Sequence, residues 1–392
     1  MRALAALRMV WASAAWKCKN MIRVEHEIRS GRRMSAPSHP QVLAIGVDLG
    51  GTHVLAALVD PAGIVHARHG ESLSAESRGS RDLIGAALAT CIVNVWRHAS
   101  KEFPDCLPLA GVGIAVPGNV DPNKGLARYL PNFGWLEPVD LAALVLDRAA
   151  DGNDLDKPST VRELTKLDKV HIRNDGRCAA LAERHFGVGA SGEHSVMAML
   201  TLGTGIGGAL IHDGGQSRRG VLFDGCTFDA GDFGHHVMRS GTDAFKCVCG
   251  NSGCFECHAS AAGLVRHWRA LGGSEAAISL DDARSVVQRM REGDAMAKAA
   301  WTAYRADLAA GLANLVTFYN PSVIVLGGGL SSTPELYEGI EAAVDASTLP
   351  ATRGKCRIVR SSLGPDCAAI GAAWLVFSET GIGAAGAALD LA

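Results

Sequence analysis

The stretch DAGDFGHHVMRSGTDAFKCVCGNSGCFE, residues 229–256, brings metal-binding and polar side chains together in a short length of chain. Cys247, Cys249 and Cys254 alternate with glycines, and a pair of histidines precedes them. Zinc takes four tetrahedral ligands, usually thiolate and imidazole, and a closed set of three Cys and one His is typical of a structural site. The alternative is a group of free thiols in a glycine-rich turn, which rarely lies beside paired histidines. The stretch therefore predicts a structural zinc site.

The order G-H followed by C-x-C-G-x-x-G-C-x-E resembles the signature of the ROK family of sugar kinases, repressors and open-reading-frame products. The resemblance implies a set of four zinc ligands: His235, Cys247, Cys249 and Cys254. It also implies three sugar contacts: Asp232, His235 and Glu256. Asp232 stands where most members have Glu, and the segment that follows His235 is longer than in the family pattern. A side chain shorter by one methylene draws the carboxylate back by about 1.5 Å, which leaves the identity of the sugar open.

Length, composition and charge limit the classes of function. The 392 residues are enough for two domains, and the net charge of −2 provides no basic field that would attract nucleic acid. The composition, 48% hydrophobic and 20% charged, predicts a soluble protein with a small-molecule partner, without nucleic acid or membrane partners. The odd number of cysteines, 11, with three in the zinc motif, favours a reducing compartment, the cytoplasm.

Residues 1–40 differ in composition from the rest of the chain. Basic side chains outnumber acidic ones in this segment, and its short apolar run contains Arg8. Such composition is typical of a targeting leader, and equally of sequence upstream of a true start at Met34. We assign this segment no function and expect it to be poorly ordered.

A first phosphate motif follows the first expected strand. Residues 41–47 predict a strand that enters VDLGGT, residues 47–52, and residues 53–59 predict its antiparallel return. The motif offers close backbone N–H groups and a hydroxyl to a phosphate, from Gly50, Gly51 and Thr52. Asp48 is suited to hold Mg2+ or its water. An ordinary glycine turn explains the pattern equally well, and the family resemblance favours the phosphate motif.

Two later strand ends also run into glycines. Residues 196–202 predict a strand before a loop, Gly203-Thr204-Gly205-Ile206-Gly207-Gly208, and residues 209–212 predict the next strand. Because a strand follows rather than a helix, the pattern is not a dinucleotide-binding fingerprint. We interpret Gly203, Thr204 and Gly205 as a second phosphate loop. Residues 323–326 predict a strand that runs into Gly327-Gly328-Gly329, which the resemblance places against the adenosine of ATP.

Asp175 is the candidate general base. Residues 170–173 predict a strand that ends at Asn174-Asp175, and residues 178–186 predict the helix that follows. Polar side chains at such junctions commonly do the chemistry of α/β proteins. Asp is also a favoured helix N-cap, and both roles are compatible. The resemblance implies that Asp175 accepts the proton of the attacking hydroxyl and that Asn174 holds a neighbouring one, with Gly176-Arg177 standing where members usually have Ala-Asn.

A further polar residue lies in the turn Pro131-Asn132-Phe133-Gly134-Trp135. The family resemblance implies that Asn132 binds the sugar, whereas its residue type by itself is equally typical of a turn after proline. Residues 151–167 are polar and predict an insertion. The other expected elements are helices at residues 81–102, 141–150, 260–271, 295–318 and 368–379, and a strand at residues 109–116.

The resemblance covers residues 42–379 and implies an α/β fold of the actin-like, ribonuclease H-like class, with two lobes and a cleft between them. We expect a small lobe at residues 41–175, onto which residues 366–392 pack back, and a large lobe at residues 176–365. The implied reaction is transfer of the γ-phosphoryl group of MgATP to a hexose, most simply the 6-hydroxyl of glucose, with structural zinc.

Three questions stay open at this point. The acceptor is alternatively an N-acetylhexosamine, mannose, allose or fructose. A different class, a sugar-sensing repressor, requires a DNA-binding domain for which residues 1–41 offer no two-helix pattern. A homo-oligomer, dimer or tetramer, is common in the family, and the residues do not decide it.

Overall fold

The computed structural model describes residues 42–107, 109–130, 133–146, 161–165, 170–213, 220–242, 244–280 and 282–381. The expectations for the basic leader at residues 1–40 and for Asn132 therefore lie outside the described residues. Within the described ranges, no helix has both the length and the apolar character needed to cross a membrane.

The described strands assemble into two five-stranded sheets and one three-stranded sheet. In chain order they are β1 (Ala44–Leu49), β2 (His53–Val59), β3 (Val65–Ser72), β4 (Val112–Val116), β5 (Asn119–Asp121), β6 (Leu126–Tyr129), β7 (Val139–Asp140), β8 (His171–Asn174), β9 (Val196–Leu202), β10 (Ile206–His212), β11 (Val221–Leu222), β12 (Val323–Gly327) and β13 (Arg357–Arg360).

The two larger sheets share one topology. The first has the strand order β3-β2-β1-β4-β8 and the second β11-β10-β9-β12-β13. In the first sheet β1 pairs antiparallel with β2 and parallel with β4. In the second sheet β9 pairs antiparallel with β10 and parallel with β12. The predicted duplication of a strand, glycine turn and strand unit is confirmed, and it gives the two-lobed actin-like fold.

Helices cover the sheets. They are α1 (Ala75–Gly79), α2 (Arg81–Glu102), α3 (Leu141–Leu146), α4 (Val161–Thr165), α5 (Asp175–Phe186), α6 (Phe255–Ala259), α7 (Ala261–Ala270), α8 (Ala283–Arg291), α9 (Ala295–Tyr319), α10 (Ile340–Ala346) and α11 (Cys367–Glu379). The predicted bounds of α2 are confirmed, because Ser80 caps its first turn by accepting a hydrogen bond from Leu83 N. α9 ends one residue later than predicted, at Tyr319, because the next residue, Asn320, has a φ of 45° and cannot continue a helix.

Several predicted bounds are wrong. β1 continues through Leu49, and β4 begins at Val112 rather than at residue 109. α5 begins at Asp175, three residues before its predicted start. The polar stretch expected as an insertion contains α4, and its residues 151–160 lie outside the described part. α8 and α10 were not predicted.

Helix α11 packs against the first sheet. A Cβ atom on Gly46 of β1 would lie 1.8 Å from the carbonyl oxygen of Ala369, and one on Gly113 of β4 would lie 1.9 Å from that of Ala372. Only glycine permits such close approach of a helix backbone to a strand. The apolar cluster around α5 and α11 also includes residues of both sheets, such as Met199. The lobe boundaries at residues 175 and 365 remain predictions.

Candidate active site

Two carboxylates lie at the same edge of the first sheet. Asp48 of β1 is aligned with Ala115 of β4, and Val116 of β4 is aligned with Asn174 at the end of β8. Because these three strands are parallel, their carboxyl ends meet at one edge. Asp175, the first residue of α5, follows directly. The fold therefore brings Asp48 and Asp175 together across β4, although more than a hundred residues separate them in the chain.

Burial and neighbouring charge make Asp175 a weak acid. Burial raises its pKa to about 7, with a further contribution from the negative charge of Asp48. A hydrogen bond from Gly176 N, 2.8 Å long, and the positive charge of Arg177 oppose this rise. Burial also raises the pKa of Asp48, to about 6. A carboxyl group whose pKa lies near neutral pH is suited to accept a proton during catalysis.

The helix cap is Asn174, not Asp175. The Asn174 Oδ1 atom accepts a hydrogen bond from Arg177 N at 3.2 Å, and its Nδ2 atom donates to the Gly118 carbonyl at 3.0 Å. The interpretation of Asp175 as the N-cap is therefore wrong, and its side chain is not committed to capping. Asn174 retains one donor and one acceptor position on its amide, so its predicted contact with a sugar hydroxyl remains a prediction.

Glu256 lies against the loop between β9 and β10. Its Oε2 atom accepts a hydrogen bond from Ile206 N at 2.8 Å. A Cβ atom on Gly205 would lie 2.2 Å from the same oxygen. Glu256, a predicted sugar contact, therefore touches the predicted phosphate loop. Only a glycine at position 205 leaves room for its carboxylate.

This contact leads to a testable expectation for Gly205→Ala. The new methyl group must push the Glu256 carboxylate away, because it would otherwise overlap Oε2. We expect the KM for the acceptor sugar to rise by about tenfold. The control is Gly79→Ala in α1, where a Cβ atom meets no other atom within 4 Å. Equal acceptor KM values in Gly205→Ala and the unmodified protein would contradict this role for Glu256.

Asp232 faces a buried arginine. The Arg177 side chain is only 3% exposed, and its Nη1 atom lies 3.5 Å from Asp232 Oδ1. The Arg177 Nη2 atom donates to the Ala230 carbonyl at 2.6 Å. Burial raises the pKa of Asp232, and the charge of Arg177 works against this rise. The departure from the family pattern at position 177 thus places a cation beside the carboxylate expected to bind the sugar.

The predicted zinc ligands converge. His235 Nδ1 lies 3.7 Å from Cys247 Sγ, and Cys249 Sγ lies 3.6 Å from Cys254 Sγ. All four ligand atoms lie within 4.8 Å of one another. Zinc–sulfur bonds of about 2.3 Å in a tetrahedron place sulfur atoms about 3.8 Å apart, so the donor set and its spacing fit a structural zinc ion.

A buried polar cluster packs against the segment from His235 to Cys254, which carries the predicted zinc ligands and is called the zinc loop below. Asp307 of α9 pairs with Arg239, which lies in the segment between the zinc ligands. The other Asp307 oxygen lies 3.0 Å from His267 Nε2 and 3.4 Å from His258 Nδ1. The ring of Phe245, also in the zinc loop, stacks on His258 with centroids 4.5 Å apart. Sequence reasoning missed this cluster because its members come from separate helices.

A cavity of about 680 Å³ opens beside the second phosphate loop. Gly203, Thr204 and Gly329, three of the residues predicted to bind ATP, line it. Gly328 does not line it, because with a φ of 81° it packs against the backbone of Leu202. Gly327 is the last residue of β12 and is likewise absent from the lining. The lining also includes residues of α8 that sequence reasoning missed: Arg284, Gln288 and Arg291.

The first phosphate motif forms the tight turn between β1 and β2. Gly50 N donates to the His53 carbonyl at 2.8 Å, which closes the turn. A Cβ atom on Gly51 would meet no other atom within 4 Å, so its backbone is open to a ligand. Gly50, Gly51 and Thr52 are not among the residues that line the cavity. In this structure the motif therefore follows Asp48 in the chain and lies outside the lining of this cavity.

Comparisons with known proteins show what the chain is similar to. The ROK family model matches residues 44–379. A glucokinase of Thermotoga maritima is 28% identical over 355 residues, which cover 87% of this chain and 99% of the relative. A xylose repressor of Bacillus spizizenii is 26% identical and covers 86% of this chain and 77% of its own. The structure of a ROK family glucokinase from Streptomyces griseus with glucose and AMPPNP shares 27% identity and a TM-score of 0.65, and the match covers 85% of this chain and 98% of that one.

Proposed function

The chain belongs to the ROK family and is an ATP-dependent sugar kinase, and we propose that its acceptor is the 6-hydroxyl of glucose. Similarity to glucokinases along nearly their whole length supports this acceptor. The observation that carries the chemistry is the position of the partly buried Asp175 at the sheet edge that it shares with Asp48, where desolvation and neighbouring negative charge raise its pKa to about 7.

In the proposed reaction the protein mainly positions its substrates, because phosphoryl transfer requires little covalent chemistry from the protein. Asp175 accepts the proton of the attacking hydroxyl. The sugar is oriented by a set of polar side chains: Asn132, Asn174, Asp232, His235 and Glu256. The phosphates are held by two glycine loops: Gly50, Gly51 and Thr52 on one lobe, Gly203, Thr204 and Gly205 on the other. The third glycine run, Gly327-Gly328-Gly329, approaches the nucleoside, and Gly329 is its member in the cavity lining.

Two metal ions belong to this proposal. Asp48 is the carboxylate that would hold Mg2+ or its water, and the ion, bound with ATP, would neutralise phosphate charge. His235, Cys247, Cys249 and Cys254 would hold zinc, which would fix the loop that carries His235 and Asp232. The proton of the attacking hydroxyl is transferred to a protein side chain of the cleft, Asp175.

ATP-dependent phosphorylation, measured across glucose, mannose, fructose, allose, N-acetylglucosamine and N-acetylmannosamine, tests the acceptor. We expect the highest kcat/KM for glucose. A higher value for an N-acetylhexosamine would reassign the acceptor, and the shorter carboxylate at position 232 would then be the first place to look for the cause. Absence of turnover with every sugar would remove the kinase assignment, and sequence-specific DNA binding at low salt would then favour a repressor.

The pKa of Asp175 predicts a pH dependence. The general base must be deprotonated, and the raised pKa means that this form is lost as the pH falls through about 7. We therefore expect kcat/KM for the acceptor to decrease about tenfold for each pH unit below about 6.5. A profile that stays flat down to pH 5.5 would contradict the assignment. The residual activity of Asp175→Asn serves as the control, because it should lack this decrease.

A further inference from the structure

The loop that leads to Asp232 has no apolar anchor. This segment, residues 223–232, leaves β11 and ends at Asp232, and we call it the acceptor loop. Every one of its residues is exposed or only partly buried. Phe223, the first residue of the loop, is 45% exposed. Burial of apolar surface, which fixes most elements of a fold, therefore does little to hold the acceptor loop.

The backbone of the acceptor loop is strained. Phe228 has a φ of 63°, a left-handed conformation that bulky residues rarely adopt. Such a residue persists only where surrounding contacts enforce its conformation. Two backbone hydrogen bonds within the loop, from Ala230 N to the Asp224 carbonyl and from Asp232 N to the Asp229 carbonyl, contribute to this conformation, and polar groups outside the loop add to them.

An arginine and an asparagine hold the middle of the acceptor loop. Arg128 of β6 donates from Nη2 to both carboxylate oxygens of Asp229, at 2.7 and 2.8 Å. The same nitrogen donates to the Thr227 carbonyl at 2.6 Å. Asn119 of β5 donates from Nδ2 to Asp229 Oδ1 at 2.7 Å. Asp229 is thus fixed by two side chains of the three-stranded sheet.

Two more arginines hold the ends of the acceptor loop. Arg173 of β8 pairs with Asp224 at its start. Arg177 of α5 donates to the Ala230 carbonyl and faces Asp232 at its end. The acceptor loop follows β11, a strand of the second sheet. Arg173 lies in β8 of the first sheet, and Arg177 lies in α5, the helix that follows β8. Three arginine–aspartate pairs therefore connect the loop to the other side of the cleft.

We propose that Arg128, Arg173 and Arg177 are positioning residues that clamp the acceptor loop and thereby set the affinity for the acceptor sugar. The identity of the ligand rests on the proposed function, whereas the clamp itself rests on the contacts above. The clamp acts on the acceptor rather than the nucleotide, because none of its residues lines the cavity beside Gly203 and Gly329.

The clamp has a salt dependence of its own. The side chains of Arg128 and Asp229 are 31% and 29% exposed, so dissolved ions reach the pair and screen it. We expect the Kd for the acceptor, measured by calorimetry without nucleotide, to rise as NaCl increases from 0.05 to about 0.5 M. In Arg128→Gln the Kd should already be high and should change little with salt.

Three matched variants test the clamp: Arg128→Gln, Asp229→Asn and the pair together. We expect each single variant to raise the acceptor Kd and KM by about tenfold, with kcat and the KM for ATP changed by less than about threefold. The double variant should be no worse than either single one, because each already breaks the same interaction. Arg68→Gln is the control, since it removes an arginine that makes a bidentate pair with Asp366, away from the cleft.

Hydrogen exchange of the acceptor loop separates failure of the clamp from failure of the proposed function. The clamp predicts faster exchange at residues 223–232 in folded Arg128→Gln and in folded Asp229→Asn, whether or not any sugar is phosphorylated. Unchanged exchange in both variants would overturn the clamp. Faster exchange with an unchanged acceptor Kd would overturn its role in affinity. A parent protein that binds no sugar would reject the proposed function, and with it the link to affinity.

Discussion

Asp175→Asn is expected to lower kcat by about 10²- to 10⁴-fold, the usual contribution of a general base. The amide cannot accept the proton of the attacking hydroxyl. Its oxygen can still accept the hydrogen bond from Gly176 N that Asp175 Oδ1 now accepts at 2.8 Å. Because Asn174, not residue 175, caps α5, the helix should keep its start. We therefore expect the acceptor Kd to change by less than about threefold, so that the loss is confined to the chemical step.

A matched substitution controls for the loss of a carboxylate. Asp121→Asn removes a carboxylate in β5 whose ion-pair partner, Lys124, lies 3.8 Å away at the surface. It should leave kcat unchanged. If Asp175→Asn retains more than about a tenth of the parent kcat while folded, another group accepts the proton and the assignment of the base is wrong.

Cys254→Ser is expected to have the second large effect. Cys254 is completely buried, directly precedes α6 and is one of the predicted zinc ligands, so its thiolate would join the zinc loop to the helix that carries Glu256. Serine is a poor zinc ligand. Loss of one ligand from a closed site weakens zinc binding and so reduces the stability that zinc gives to the loop. We expect the purified variant to contain little zinc, to unfold at a lower temperature and to show an acceptor KM raised by more than about tenfold.

The zinc content of the purified variants distinguishes loss of the zinc site from a general folding defect. Cys356→Ser changes a partly buried cysteine outside the zinc cluster and should keep both its zinc and its acceptor KM. A Cys254→Ser protein that retains a full equivalent of zinc would contradict the ligand set. Loss of zinc without any change in acceptor KM would instead separate the zinc site from sugar binding.

The local elements of this fold could be predicted well from the sequence. The bounds of α2 and of β9 are as predicted, because a capping serine and an apolar run broken only by Thr201 are local features. The start of α5 was missed by three residues, since Gly176 and Arg177 obscure the helical pattern. The helix α8 was missed entirely, and with it part of the lining of the cavity.

Residue type and close spacing are enough to identify the residues that can do chemistry: the Cys and His set within one short stretch, the glycine turns and Asp175 after β8. These features are present in the chain before it folds. The environment of each residue depends on tertiary packing. The pKa of Asp175 depends on its burial and on Asp48 across β4.

The same holds for the contacts of the acceptor loop. The pairs Arg128–Asp229 and Arg173–Asp224 join residues 101 and 51 positions apart. No local pattern specifies such pairs, because a charged residue has many possible partners until packing selects one.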